Sequence, residues 1–171
     1  LEFRRVLFRS WKMLSGVVEQ SRIMAIRWMC LLFGAVSIWF AYGVAKHAFK
    51  HDSAGVLCGT VVAFTPMFGH MHGNISNEPM AMALVASSVY VGMRAKLSQS
   101  SMNFILAGLL FGLALATRLT AGIWLPGLFL VSLTRQDFKK SFIKLVPGVV
   151  LPVGIWMVVN QITLGSPLVR T

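Results

Sequence analysis

Acidic residues are scarce in this chain: 5 Asp+Glu in 171 residues, against 16 Lys+Arg. Charged residues of both signs make up only 12%, where a soluble globular domain carries about 25%. Cysteine is nearly absent, with Cys30 and Cys58 alone. Both lie inside apolar runs, which excludes a disulfide framework and reads as small-residue packing. No glycine-rich phosphate loop, Walker motif or low-complexity linker is present. What abounds is apolar: 56% of residues, with a mean hydropathy of +0.72. A chain this short has too little interior to hide so much apolar surface, and far too much of it to stay disordered. A formal net charge of +11 would point to nucleic acid in a soluble protein. Here the basic residues fall between apolar runs, so the charge reads as membrane orientation, and no nucleic-acid partner is expected.

The first ten residues, Leu1 to Ser10, read LEFRRVLFRS. They match, codon for codon, the adapter-like string CTG GAG TTC AGA CGT GTG CTC TTC CGA TCT. The segment is therefore read as a translated sequencing adapter, and the fold is sought in residues 11–171 as a transmembrane fragment. On this reading the natural chain continues upstream of Trp11, and the end at Thr171 is not taken as a natural terminus.

Charge-free apolar runs mark the membrane crossings, each needing about 20 residues. Six are expected: Trp28 to Ala45, Ala54 to Gly69, Pro79 to Met93, Ser101 to Thr117, Leu119 to Thr134, and Leu145 to Asn160. The runs are too long and too uniformly apolar for barrel strands, so an all-α, polytopic membrane helical bundle is predicted. The loops on one side hold Lys46, Lys50, Arg94, Lys96, Arg135, Lys139, Lys140 and Lys144. The loops on the other hold Arg118 and Arg170, with Lys12, Arg22 and Arg27 before the first span. The bias places the first set in the cytoplasm and the second outside. Gly55 and Gly59, and Gly108 and Gly112, have the small-xxx-small spacing that lets helices approach closely.

The informative outer segment is Gly69-His70-Met71-His72-Gly73-Asn74-Ile75-Ser76-Asn77-Glu78-Pro79. Pro79 suits the first turn of a helix, with Asn77 or Glu78 as its cap. Glu78 would then sit at the positive end of that helix's dipole. It reads either as a cap or as a carboxylate that orients a cation or a substrate hydroxyl at the bilayer edge. His70 and His72, with Glu78 as a third ligand, could hold a divalent metal; two solvated loop histidines are the plainer reading. Asn74-Ile75-Ser76 is a glycosylation sequon by pattern, set too close to the bilayer to be a good acceptor.

Arg118 interrupts an apolar stretch from Leu97 to Thr134. An arginine at a helix centre costs about 2.5–3.5 kcal/mol on insertion scales, so the chain is expected to break there. It reads as a snorkelling anchor or as a phosphate clamp, for which its fork geometry is suited. Glu78 and Arg118 are expected on the same outer face.

Four stretches then resemble the GT-C class of membrane glycosyltransferases, in particular its protein mannosyltransferase and aminoarabinose transferase group. Arg27 through Phe49 resembles an arginine-headed span of that class. Ser76-Asn77-Glu78-Pro79 is similar to its (Asn/Leu)-Asp/Glu-Pro element. Ala107 through Thr120 resembles its G-L-x-x-G-L-A-x-x-T-(Lys/Arg)-x-T helix end. Leu164-Gly165-Ser166-Pro167-Leu168 resembles its F-G-S-P turn. The resemblance implies a partial GT-C fold and transfer of a sugar from a polyprenyl-phosphate-linked donor to a glycan, lipid or protein acceptor on the extracytoplasmic face. It implies a multi-pass protein of the bacterial plasma membrane, or of the endoplasmic reticulum in a eukaryote. It further implies that Glu78 is a second active-site acid and that Arg118 lies near the donor phosphate. The principal catalytic Asp would lie upstream of Trp11, so this fragment is expected to be inactive alone. A secondary-transporter fragment and a non-catalytic membrane subunit are the alternatives that the residues themselves leave open.

Overall fold

The computed structural model describes residues 2–73, 76–98, 100–127 and 138–164, with side chains over 20–73, 76–98, 100–127 and 143–162. The sequon at Asn74 and the Gly165-Ser166-Pro167-Leu168 turn lie outside the described residues. The elements are α1 (Glu2–Phe49), α2 (Asp52–Phe64), α3 (Pro66–Gly73), α4 (Glu78–Ser98), α5 (Ser101–Thr117), a 3₁₀ helix (Leu119–Trp124) and α6 (Phe138–Leu164). Among the described residues the fold is all-α, with no strand.

The helices stand side by side in a row. α2 and α3 pack on α1, α1 on α4, α4 on α5, and α5 on α6. Small residues set this order. Gly55 of α2 faces Tyr42, and Gly59 faces Ile38, so α2 runs antiparallel to α1. Cys30 meets the Ser76 carbonyl, while Gly43 lies against the Tyr90 ring, so α4 runs in the same direction as α1. Gly108 and Gly112 of α5 lie against the backbone of Leu145 and Val149, so α5 and α6 run parallel. The small-xxx-small spacing of α5 thus serves direct backbone contact. A Cβ on Gly108 would come within 2.3 Å of the Leu145 carbonyl oxygen.

Phe104, Phe111 and Leu145 are buried at the centre, and small residues fill much of the interior around them. Ala95, Ala107 and Ala114 are fully buried, as is Ser88, whose Oγ donates 2.9 Å across to the Ala107 carbonyl. Trp28, Trp39, Phe64 and Ile123 are each at least 65% exposed. Small residues inside, one interhelical hydroxyl bond, and large apolar residues outside are the pattern of helices packed in hydrocarbon.

The six expected crossings are not all met by length and composition. Among the described residues, Gln20–Phe49 and Ile143–Ile162 are long and apolar enough to span. The bent pair α2 and α3 adds a third if counted as one. The reasons are local. Thr65 is extended, as a residue before proline prefers, and the chain bends by 61° there. The Thr65 hydroxyl takes up the Val61 carbonyl at 2.7 Å, so the break leaves that group paired. α5 has 17 residues, which at ~1.5 Å each falls short of a ~30 Å hydrocarbon core. α4 is long enough but carries Ser87, Ser88, Arg94 and Lys96. The run expected over 119–134 opens as a 3₁₀ helix, and its part beyond residue 127 lies outside the described residues.

Candidate active site

The N-terminus of α4 and the C-terminus of α5, neighbours in the middle of the row, meet at the same end of their axes. Helix α4 opens where the Asn77 carbonyl accepts from the Ala81 N–H at 3.1 Å. Pro79 follows in the first turn and is buried, its missing N–H costing nothing there. The Ser76 hydroxyl accepts from the Glu78 N–H at 3.4 Å. Helix α5 ends where Arg118 turns extended, with φ −157° and ψ 117°. Its N–H still donates to Ala114 at 2.9 Å, and its carbonyl accepts from Ala121 at 3.0 Å, so the reversal leaves no backbone group of Arg118 orphaned.

Two adjacent cross-links join the helix ends. The Asn77 side-chain amide donates to the Thr117 carbonyl at 2.8 Å. One residue further on each strand of chain, the Arg118 Nη1 donates to Glu78 Oε1 in a direct ion pair. The side chains are partly open to solvent, Arg118 at 39% and Glu78 at 26%. The pairing places the expected acid and the expected guanidinium in contact on one rim. The Asn77 rung is what the sequence reading missed. An asparagine before a helix reads as a cap; here its side chain instead reaches a carbonyl of another helix, one of the four that every helix end leaves without an intrahelical donor.

Glu78 and Arg118 stand at one end of the lining of a groove of about 810 Å³. Its walls come from α1 (Ala41, Ala45, Ala48), α4 (Ala81, Val85, Val89), and Ile123 and Trp124 of the 3₁₀ helix, with α2 and α3 alongside. From Glu78 to Val89 the groove runs about 16 Å along α4, at ~1.5 Å per residue. Alanines on both walls give it depth, and the charged pair is the strongest polar feature in its lining. The shape suits a molecule with an extended apolar tail and an anionic head.

The histidines are arranged differently from the expected loop. Residues 66–73 form α3, so His70 and His72 are on a helix, where positions two apart point to nearly opposite sides. His72 is 3% exposed, stacked on Phe68 at 3.9 Å between ring centroids, with Nδ1 2.8 Å from the Phe68 carbonyl oxygen. Its ring also covers Gly34, where a Cβ would sit 2.8 Å from Cδ2. His70 faces outward. Among the described residues no three His, Cys, Asp or Glu side chains are gathered as a metal site. The His70, His72 and Glu78 set that spacing allowed is therefore not assembled, and His72 is a packing residue of the α1–α3 contact.

Searches of curated proteins and of solved structures returned no match. Residues 12–159 match the family described as dolichyl-phosphate-mannose-protein mannosyltransferase. That match covers most of the chain, including every wall of the groove and both rungs of the junction. With its hydrocarbon-facing helices and its charged rim, the chain belongs to this family of GT-C-type membrane glycosyltransferases.

Proposed function

We propose that this chain carries part of the donor site of a glycosyltransferase that moves a sugar from a polyprenyl phosphate to an acceptor on the extracytoplasmic face. The observation that carries the reading is the placement of Arg118 and Glu78 at the head of an apolar groove. In this reading α1, the bent α2–α3 pair, α4, α5, the segment after Arg118, and α6 all cross the membrane in alternation. The short ones are completed by neighbouring protein or by local thinning of the bilayer. The prenyl chain lies along the alanine-lined wall, and its phosphate reaches the Arg118 guanidinium. The acceptor oxygen attacks the anomeric carbon, the bond from that carbon to the phosphate oxygen breaks, and the electron pair passes to the phosphate. Arg118 stabilises the charge that grows on the departing phosphate. Glu78 orients a substrate hydroxyl, and the acceptor proton passes to a carboxylate base.

Transfer from a polyprenyl-phosphate-linked sugar, assayed in membranes containing the full-length protein, tests this. Arg118→Gln is expected to lower turnover by roughly a hundredfold or more, the loss typical of one donor to a developing anion. Turnover unchanged in both Arg118→Gln and Glu78→Gln would overturn the assignment. So would labelling of cysteines placed at 78 and 118 by impermeant reagents from the cytoplasmic side alone.

A further inference from the structure

The arrangement of the junction points to a competition that the donor-site reading does not by itself contain. We infer that Glu78 is an intramolecular occupant of the anion seat of Arg118, displaced by lipid phosphate on binding and returned as the spent phosphate leaves. This rests on the donor-site reading above. The guanidinium and the carboxylate are already in contact in the ligand-free protein. A phosphate that engages the same Nη1 must move the carboxylate aside.

Three features make the exchange feasible. The pair is partly exposed on both sides, and such pairs contribute little, about 0.2–1 kcal/mol when exposed. A phosphate can take the arginine fork through two parallel bonds, which is the stronger arrangement. Finally, the Asn77–Thr117 rung holds the helix ends together independently, at 2.8 Å. The ion pair can therefore open without α4 and α5 separating.

The exchange has two consequences. The carboxylate is released at the mouth of the groove only when a phosphate is seated, so donor binding precedes any use of Glu78. After transfer the phosphate is a monoester with a second ionisation near pH 6 by analogy with phosphorylated side chains. That dianion would hold Arg118 more tightly than the donor does, and the nearby carboxylate acts against this retention.

The test measures binding of undecaprenyl phosphate, with undecaprenol as the headgroup-free control, to the full chain in phosphatidylcholine nanodiscs. The expected result is that Glu78→Gln binds the phosphate more tightly than wild type, by up to about fivefold, the factor matching the ~1 kcal/mol upper end of the lost competition. Glu78→Asp keeps the charge on a shorter arm and is expected between the two; it decides the question should the glutamine variant fail to fold. Arg118→Gln is expected to lose the preference for phosphate over alcohol. Wild type and Arg118→Gln behaving as expected, with Glu78→Gln equal to or weaker than wild type, would overturn the competition while leaving the donor site standing. Equal binding of phosphate and alcohol by wild type would overturn both.

Discussion

Replacing Gly148 by alanine should loosen the seam between α5 and α6. A Cβ built there lies 2.4 Å from the Ile105 carbonyl oxygen, 2.8 Å from the Leu109 nitrogen and 3.0 Å from the Gly108 carbonyl carbon. All three are backbone atoms, so no side-chain rotation relieves the overlap; the helices must move apart by nearly an ångström, on the order of the shortfall from ordinary contact. Overpacking of this kind costs about 1–3 kcal/mol. Gly154 on the same helix is the internal control, because its Cβ would meet nothing within 4 Å. There the change to alanine removes only the helix penalty of glycine, a gain of roughly 0.5–1 kcal/mol. Thermal unfolding in detergent, followed by tryptophan fluorescence, should lower the midpoint of Gly148→Ala by several degrees, at about 2–4 °C per kcal/mol for a chain of this size. The midpoint of Gly154→Ala should stay level or rise. Equal midpoints for the two variants would refute the parallel, backbone-to-backbone packing of α5 and α6.

Two further outcomes follow from the junction and from the buried ring. Asn77→Asp keeps the size of the side chain but removes the amide donor to the Thr117 carbonyl. Disulfide formation between cysteines placed at 78 and 118 should be slower in that background than with Asn77 intact, and an unchanged rate would show that the rung does not hold the ends together. Gly34→Ala should destabilise the protein by pressing on the His72 ring, which lies 2.8 Å from the added Cβ. In a His72→Ala background the same change should cost less; additive losses in a thermal double-mutant cycle would sever the proposed contact.

Much of the site was legible because membrane placement leaves charged residues few options. Arg118, alone in a long apolar stretch, had to lie at a break, and the chain does turn extended there. Glu78 before Pro79 had to start a helix, and it does. Two helix ends of opposite polarity on one rim then brought the side chains together. The glycines of α5 were readable as a close-packing face, but not their partner: nothing local says that α6 returns parallel to α5, because that depends on the path between them. The bend at Thr65 is not legible from apolarity: Pro66 sits inside an apolar run, yet the residue before it is extended and α3 continues to Gly73. That continuation turned two expected loop histidines into helix positions facing different ways. Asn77 was read by its usual local role, while its side chain serves a contact forty positions along the chain. Apolarity alone cannot tell a complete span from a short helix such as α5.

The placement of bulk on the outside has a practical consequence for anyone wishing to handle this fold in water. Its close helix contacts run through alanine, glycine and serine around a few buried residues such as Phe111 and Leu145, while the bulky Trp28, Trp39 and Phe64 lie on the outside and away from the groove. Redesign for solubility could therefore exchange that outer coat for polar residues and leave every glycine seam and both rungs of the junction untouched. The recognition surface would then be separable from the solvent it evolved in, because in this chain the solvent-facing positions and the structure-specifying positions are nearly disjoint sets.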